Sequence, residues 1–149
     1  MDNEKKKFAV IVVNDKSGRG KRANVDKLKK TMLKTYDVRV FHITEGEGFS
    51  YVPCDVIAVF GGDGTLNSVV NMYADKETKI IYVPSGTLNE CSKNADGHFE
   101  IRSLGHADEK YFTYVLASGT FTPLGYNVDN KLKRKIKALA YILGVFKEL

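Results

Sequence analysis

Residues 55–74 read DVIAVFGGDGTLNSVVNMYA, and this stretch decides the fold. Its first part, Asp55 to Phe60, is a short apolar run that is typical of a buried strand in a parallel sheet. Its last part, from about Thr65 to Ala74, predicts a helix, because apolar side chains recur at positions i, i+3, i+4 and i+7. These side chains are Leu66, Val69, Val70 and Tyr73. The glycines between the two parts predict a tight turn from strand to helix.

The same order of strand, polar turn and helix extends outward on both sides. Before this stretch, the sequence predicts a strand from Phe8 to Val13, a polar loop at 15–20, a helix at 21–36 and a strand at 37–44. The apolar face of that helix consists of Val25, Leu28, Met32 and Leu33. After this stretch, the sequence predicts a strand from Lys79 to Val83 and a short helix from about Thr87 to before Gly97. Strands that alternate with helices indicate an α/β fold, with an open and mostly parallel sheet flanked by helices.

The pattern changes towards the carboxyl terminus. Phe99 to Leu104 and Tyr111 to Ala117 predict two strands of an antiparallel hairpin, joined by the turn GHADEK. Residues 127–149 predict a helix whose second half is apolar on nearly every side, and such a helix must be buried against another surface. We therefore expect an α/β domain over residues 1–126, and a helix over residues 127–149 that another surface covers, for example through self-association.

The composition indicates one ordinary globular domain. The chain has 149 residues, 43% of them hydrophobic, and a net charge of +5 with basic residues at both ends. We expect a cytoplasmic chain, because no apolar run approaches the length of a membrane span and the start does not resemble a signal peptide. The basic ends suit either solvation or peripheral contact with an anionic membrane, and we expect no nucleic-acid partner.

Cysteines and histidines do not predict a metal site. Cys54 and Cys91 lack a partner at zinc-ligand spacing, so we interpret them as inert thiols. His42, His98 and His106 likewise have no ligand spacing, and we assign them surface or strand positions without a special role.

The GGDGT turn, Gly61 to Thr65, carries the strongest chemical signal. Successive N–H groups in a glycine turn, followed by the start of a helix, form a site for an anion such as a polyphosphate. Asp63 is unusual there, because a carboxylate repels phosphate. It indicates either a contact with a cation or with a reacting hydroxyl, or an aspartate that hydrogen-bonds its own turn, and the sequence leaves these open.

Two more polar turns follow predicted strands. The PSGTLNE turn spans residues 84–90, and the NDKSG turn spans residues 14–18. Because parallel strands end at the same edge of a sheet, we expect the GGDGT and PSGTLNE turns to lie side by side, with the Thr87 hydroxyl and the Asn89 amide lining the same cleft. The NDKSG turn is not a Walker A motif, and the dinucleotide fingerprint GxGxxG is absent.

Together these turns resemble the diacylglycerol kinase catalytic-domain family, which includes bacterial lipid kinases and, as relatives, sphingosine and ceramide kinases. The family's NPxSG, GGDGTLNEVVNG and PLGTxND motifs correspond to NDKSG, GGDGTLNSVVNMY and PSGTLNE here. Asp15, Ser68 and Glu90 stand where the family has Pro, Glu and Asp. The stretches YFTYVLASGTF and IKALAYILGVFKEL also look like family segments.

The resemblance implies ATP-dependent phosphorylation of a lipid hydroxyl, such as that of diacylglycerol, with Mg²⁺. It implies that Asp63 activates the lipid hydroxyl. Because family members continue into a β-rich second domain, we interpret the chain as the ATP-binding half of such an enzyme. The nucleotide-binding positions that the resemblance implies are Asn14, Asp15, Lys16, Ser17, Gly18, Thr44, Gly61, Gly62, Asp63, Gly64, Thr65, Leu66, Asn67 and Thr87.

Two other functions stay open at this point. NAD kinases share the GGDGT sequence, so an NAD kinase-like enzyme is one alternative, although PSGTLNE fits the lipid kinases better. The other alternative is a non-catalytic module that binds a nucleotide or a partner protein.

Overall fold

The computed structural model describes residues 6–17, 21–44, 48–86, 89–92 and 100–114, and of residues 21–23 the backbone alone. Regular structure follows the predicted order of strands and helices over most of this part. The elements are β1 (Lys7–Asn14), α1 (Lys21–Met32), β2 (Tyr36–Ile43), β3 (Val56–Gly61), α2 (Asp63–Tyr73), β4 (Lys79–Pro84), a 3₁₀ turn (Glu90–Ser92), β5 (Gly105–Ala107) and β6 (Lys110–Phe112).

The first four strands form one parallel sheet in the order β2-β1-β3-β4. Their carboxyl ends are in register, since Asn14 pairs with Ile43, Val13 with Phe60, and Gly61 with Pro84. The predicted α/β fold with a parallel sheet is confirmed. This register brings the residues that follow β1, β3 and β4 to one edge of the sheet.

β1 lies at the centre of the core because both of its faces are covered. Side chains alternate between the faces of a strand. Ala9, Ile11 and Val13 therefore pack on the side of α1, whereas Val10 and Val12 pack on the side of α2. All five are buried, with exposed fractions between 0% and 2%. A continuous apolar run is what a strand covered on both faces requires.

α2 begins two residues earlier than predicted. Gly62, in extended conformation, is its N-cap, and the amide of Leu66 already donates to the Gly62 carbonyl at 3.0 Å. The GGDGT turn is therefore largely the first turn of the helix. The predicted apolar stripe of α2 is confirmed, and its buried members are Leu66, Val69, Val70 and Tyr73.

α1 is shorter than its apolar pattern predicts. It ends at Met32, which is buried together with Val25, while Leu28 is partly buried against the same cluster. Leu33 was predicted on the apolar face, but it lies in the turn after the helix and is 43% exposed. That part of the prediction is wrong, because the chain turns at residues 33–35 to enter β2.

The connection from β2 to β3 has no helix in its described part, residues 48–55. Phe49 and Val52 pack against the core there, and the Phe49 ring meets Phe41 edge to face. The Tyr73 hydroxyl fixes this segment, since it donates to the Val52 carbonyl at 2.8 Å and accepts from the Val52 amide at 3.1 Å. Burial raises the pKa of Tyr73 to about 12. An aromatic segment thus covers a face where a helix is usual in α/β units.

The antiparallel hairpin exists, but its predicted boundaries are wrong. β5 lies within the segment predicted as the turn, and residues 101–104 have no regular structure. β6 pairs with β5 antiparallel; it begins at the last residue of the predicted turn and continues into the predicted second strand. The chain reverses at Asp108, whose φ of 52° lies in a region that aspartate tolerates better than most residues. Gly105 lies in β5 opposite Phe112. A side chain at position 105 would overlap the Phe112 ring, which explains why this strand position is a glycine.

The hairpin is fastened to α2 by one amide side chain. Asn71 donates through Nδ2 to the Tyr111 carbonyl at 2.8 Å, and its Oδ1 accepts from the Tyr111 amide at 2.9 Å. The Tyr111 hydroxyl adds a bond to Asp75 at 2.7 Å. The side chain of Asn71 therefore pairs with β6 as a neighbouring strand would.

Several predictions lie outside the described residues. The helix expected near Thr87 appears only as the short 3₁₀ turn at Glu90–Ser92, and residues 87–88 and 93–99 are not described. The predicted domain boundary after residue 126, the carboxyl-terminal helix, Gly18 and His98 also lie outside. Neither described helix combines the length and the apolar character that a bilayer-spanning segment needs.

Candidate functional site

Three turns meet at the carboxyl edge of the sheet. Asn14, the last residue of β1, donates through Nδ2 to the Thr65 hydroxyl in α2 at 2.8 Å. Its Oδ1 accepts from the amide of Lys16 at 3.0 Å, which closes the NDKSG turn. One amide side chain therefore shapes its own turn and fastens it to the first turn of α2.

The NDKSG and PSGTLNE turns approach each other through two serines. Ser17 donates through Oγ to the Asn14 carbonyl at 2.9 Å, and this Oγ lies 3.4 Å from the Oγ of Ser85. The amide of Ser85 donates to the Gly61 carbonyl at 2.8 Å, which continues the pairing of β3 with β4. All three turns are thus joined by direct hydrogen bonds or hydroxyl contacts.

Two glycines allow the backbones of the GGDGT and PSGTLNE turns to touch. A Cβ on Gly62 would lie 3.2 Å from the Cα of Gly86, and a Cβ on Gly86 would overlap the Cα of Gly62. Neither glycine has a positive φ. The requirement for glycine at these positions is therefore one of space between two main chains and not one of conformation.

Gly64 differs from these glycines because a Cβ there would meet nothing within 4 Å. It lies in the first turn of α2, where the amides of Asp63, Gly64 and Thr65 have no acceptor inside the helix. Glycine lowers helix stability by up to about 1 kcal/mol relative to alanine. Packing within the described chain does not explain the choice, and open space beside helix N–H groups suits an anionic ligand.

The carboxylate of Asp63 binds the PSGTLNE turn and the residue after it. Its Oδ2 accepts from the Glu90 amide at 2.7 Å, and its Oδ1 accepts from the Cys91 amide at 3.2 Å. Sequence analysis left open whether this residue performs cation or proton chemistry or bonds its own turn. Its observed partners lie 27 and 28 residues further along the chain.

Tyr82 and Asn89 complete this cluster. Asn89 closes the PSGTLNE turn, since Oδ1 accepts from the Gly86 amide at 2.7 Å and Nδ2 donates to the Gly86 carbonyl at 3.0 Å. The Tyr82 hydroxyl lies 3.4 Å from Oδ1 of Asp63 and 3.4 Å from Oδ1 of Asn89. Burial, and then the charge of Asp63, raise the pKa of Tyr82 well above its usual value. The phenol therefore stays protonated and able to donate.

An exposed pair borders the NDKSG turn. The ring Nδ1 of His42 lies 3.0 and 3.1 Å from the two carboxylate oxygens of Asp15. His42 lies at an exposed strand position, as expected, and its ring contacts a residue of the predicted site. Thr44 is exposed at the end of β2, directly after the register partner of Asn14. Lys16 is exposed in the same turn.

Two predicted residues of α2 point away from solvent. Leu66 is 1% exposed in the core, and its amide bonds Gly62. Asn67 is partly buried, and its Oδ1 is a buried atom without a hydrogen-bond partner in the described part of the chain. Gly18 and Thr87 are not described.

Ser85, Gly86 and Tyr82 belong to the observed site but are not among the predicted site residues. Ser85 and Gly86 stand inside the quoted PSGTLNE motif, so the motif itself was the available signal. Tyr82 is the only hydroxyl in the apolar strand KIIYVP, and that contrast was its signal.

Across the described ranges, no group of three His, Cys, Asp or Glu residues could hold a metal ion. Burial is the main cause that raises the pKa of Cys54 and of Cys91. A thiol with a raised pKa carries little reactive thiolate at neutral pH.

The chain is similar to curated proteins named diacylglycerol kinase. Diacylglycerol kinases from Staphylococcus aureus strains JH9 and Newman are each 29% identical to the chain and match 97% of it. The chain covers 54% of each, so it spans about half the length of these curated relatives. A solved structure of a proposed diacylglycerol kinase from Bacillus anthracis matches 58% of the chain at 25% identity, with a TM-score of 0.45, and is itself covered to 35%.

The model of the diacylglycerol kinase catalytic domain matches residues 8–110, which include all three turns. This match covers more than half of the chain and agrees with the resemblance of the motifs. The chain therefore belongs to the diacylglycerol kinase catalytic domain family.

Proposed function

We propose that the chain is the ATP-binding half of a lipid kinase, which transfers a phosphoryl group from ATP to a lipid hydroxyl. The observation that supports this most directly is the fastening of three polar turns at one sheet edge. The bond from Asn14 to Thr65 joins the NDKSG turn to the GGDGT turn, and the bond from Ser85 to Gly61 joins the PSGTLNE turn to it. In open α/β sheets, ligands bind outside the carboxyl ends of the strands, which is where these turns lie.

The first turn of α2 offers the features that a nucleotide's phosphates need. Amides at a helix start point toward an anion, and the helix dipole favours negative charge there. A Cβ on Gly64, in this first turn, would meet nothing within 4 Å. The residues that we propose to contact the nucleotide or to shape its site are Asn14, Asp15, Lys16, Ser17, Gly18, Thr44, Gly61, Gly62, Asp63, Gly64, Thr65, Leu66, Asn67 and Thr87.

Mg²⁺ would neutralise charge on the phosphates during transfer. The described residues do not form a cage for it, since they contain no suitable cluster of His, Cys, Asp or Glu. We therefore propose that the metal enters with ATP, held by the phosphates themselves. This chain's own contribution is to bind and orient the nucleotide, and orientation is the main requirement of phosphoryl transfer.

Asp63 is the residue that the family resemblance proposes as activator of the lipid hydroxyl. Its contacts favour a different role. Two main-chain amides already occupy positions on its two oxygens, and the Tyr82 hydroxyl lies close to one of them. A carboxylate has about four acceptor positions, so little capacity is left for a substrate proton. We propose that Asp63 orders the turns that bind ATP.

The acceptor and the cellular setting belong to the whole enzyme and are proposals for this chain. The named relatives favour diacylglycerol as the acceptor. Reaching it requires peripheral contact of a cytoplasmic protein with a membrane, for which the basic ends of the chain are suited. We also retain self-association through the segment 127–149 as a proposal.

The test is a calorimetric titration of Mg·ATP into the wild-type chain, Gly64→Val and the control Gly48→Val. Both glycines lie in open space, so both variants are expected to melt within a few degrees of wild type. Gly64→Val is expected to weaken ATP binding at least about tenfold, because its side chain fills the phosphate position, and Gly48→Val is expected to leave it unchanged. Equal affinities in all three proteins would contradict the proposal.

An acceptor assay separates the remaining candidates. We expect slow phosphorylation of diacylglycerol by these 149 residues, because the chain spans about half of its relatives. Transfer to NAD in place of diacylglycerol would favour the NAD kinase-like alternative. Binding of ATP without transfer to either acceptor would favour a nucleotide-binding module.

A further inference from the structure

A tyrosine that belongs to none of the three turns touches two of the groups that hold them together. Tyr82 lies in β4, two residues before Pro84, and pairs in register with Val59. Its ring packs against the core on the side of α2. Its hydroxyl lies 3.4 Å from Asp63 Oδ1 and 3.4 Å from Asn89 Oδ1.

Those two acceptors shape residues 86–91. Asn89 closes the turn at Gly86 while its own backbone has a φ of 51°, a conformation that asparagine tolerates and most residues avoid. Asp63 holds the amides of Glu90 and Cys91. The Tyr82 hydroxyl lies beside both acceptors. It therefore connects Asn89, which closes the PSGTLNE turn, with Asp63, which attaches this turn to α2.

The direction of this contact is fixed by chemistry. Asp63 Oδ1 and Asn89 Oδ1 are a carboxylate oxygen and an amide carbonyl oxygen, so towards both of them the phenol donates and they accept. It has one hydrogen, which it shares between the two oxygens. The hydroxyl stays protonated throughout the neutral and mildly alkaline range, because burial and the nearby carboxylate raise the pKa of Tyr82.

We propose that Tyr82 is a positioning residue for the nucleotide site: through Asp63 and Asn89, its hydroxyl holds the PSGTLNE turn against the GGDGT turn. This inference rests on the proposed binding of ATP at these turns. Tyr82 touches no substrate in this scheme. It acts on affinity, because a turn that is already in place when ATP arrives loses less conformational freedom on binding.

Tyr73 provides a matched control on the same side of the sheet. It is also a core tyrosine whose hydroxyl binds a loop, here at Val52. Tyr73 lies at the last residue of α2, so its loop is at the opposite end of the helix from the GGDGT turn. Replacing either tyrosine by phenylalanine removes one oxygen and keeps the ring.

The experiment compares Tyr82→Phe and Tyr73→Phe in the full chain. Amide hydrogen exchange at Glu90 and Cys91 and calorimetric affinity for Mg·ATP are measured, with thermal melting as the check of folding. Tyr82→Phe is expected to speed exchange at these two amides and to weaken ATP binding about fivefold, the equivalent of one ordinary hydrogen bond. Tyr73→Phe is expected to change neither, although it loses the better-formed bonds.

Each of the following outcomes either supports or overturns the proposed role of Tyr82. Faster exchange and weaker binding in Tyr82→Phe alone support the proposal. Unchanged exchange in Tyr82→Phe overturns it, and so does an equal loss of affinity in both variants, which would indicate general destabilisation. If wild type binds no ATP, the proposed function fails, while the exchange comparison still tests the role of Tyr82 in holding the turn.

Discussion

The two ends of α2 hold their neighbours in different ways. At the carboxyl end, short hydrogen bonds fasten what the helix touches: Tyr73 to Val52 at 2.8 Å, Asn71 to Tyr111 at 2.8 Å, and Tyr111 to Asp75 at 2.7 Å. At the amino end, two short bonds, from Asn14 to Thr65 and from Glu90 to Asp63, are accompanied by longer hydroxyl contacts and by glycines in close approach.

The carboxyl end of α2 therefore stabilises the fold, and its amino end forms part of the proposed binding site. At the carboxyl end, main-chain partners engage the hydroxyl of Tyr73 and the amide of Asn71. At the amino end, the first helix amides have no acceptor inside the helix, and a Cβ on Gly64 would meet nothing within 4 Å. Amides of this kind suit an anionic ligand.

Substitution of Gly86 by Ala is expected to have the largest effect on the amino end. The new methyl group would overlap the Cα of Gly62, and neither main chain can yield without moving its turn. Overpacking of this kind costs about 1–3 kcal/mol, so we expect roughly a 100-fold loss of ATP affinity when the displacement falls on the site. Calorimetric titration measures this loss.

The control is Gly48→Ala, where the methyl group meets nothing within 4 Å. It is expected to bind ATP as wild type does. Wild-type affinity in Gly86→Ala would show that close contact of the two turns is not needed for binding.

Thr65→Val is expected to have an intermediate effect. Valine has nearly the shape of threonine but removes the oxygen that accepts from Asn14. We expect a loss of about 1 kcal/mol in the free energy of unfolding, and about a threefold to tenfold loss of ATP affinity, because the NDKSG turn is released from α2. Denaturant unfolding and ATP titration are the measurements.

A matched variant is Thr31→Val, whose hydroxyl donates to Lys27 on the exposed face of α1. It is expected to stay within about 0.5 kcal/mol of wild type. If both threonine variants behave alike, the bond from Asn14 to Thr65 does not organise the site.

Tyr73→Phe is expected to have the smallest effect on ATP affinity, and a distinct effect on stability at high pH. The pKa of Tyr73 is raised from 10 to about 12 in the folded protein. Folding therefore favours the neutral phenol, and this contribution is complete below pH 10 and is lost as the pH rises towards 12. In unfolding experiments between these values, the variant should lose stability less steeply than wild type. Identical slopes would contradict the assignment.

The core was predictable because its signals are local. The apolar run from Phe8 to Val13 and the stripe from Leu66 to Tyr73 follow the periods of strand and helix, and both hold in the structure. The contacts of Asp63 with Glu90 and Cys91 were not predictable in this way. They depend on the register of β3 with β4, which sets residues far apart in the chain side by side.

The hairpin shows a second limit of local patterns. Gly105 was interpreted as part of a turn, whereas it lies in a strand to make room for the Phe112 ring. The true reversal at Asp108 uses a conformation that several residue types can adopt. The role of a glycine is decided by the side chain opposite it, and the sequence alone does not say which side chain that is.

The attachment of β6 to α2 through Asn71 has a consequence for variation at Tyr111. Both bonds from Asn71 end on the main chain of Tyr111, at atoms that nearly every amino acid possesses. These two hydrogen bonds therefore do not depend on which side chain residue 111 carries. Proline is the exception because it lacks the N–H. Evolution is free to exchange that side chain, and the bond it makes to Asp75, without detaching the hairpin from the helix.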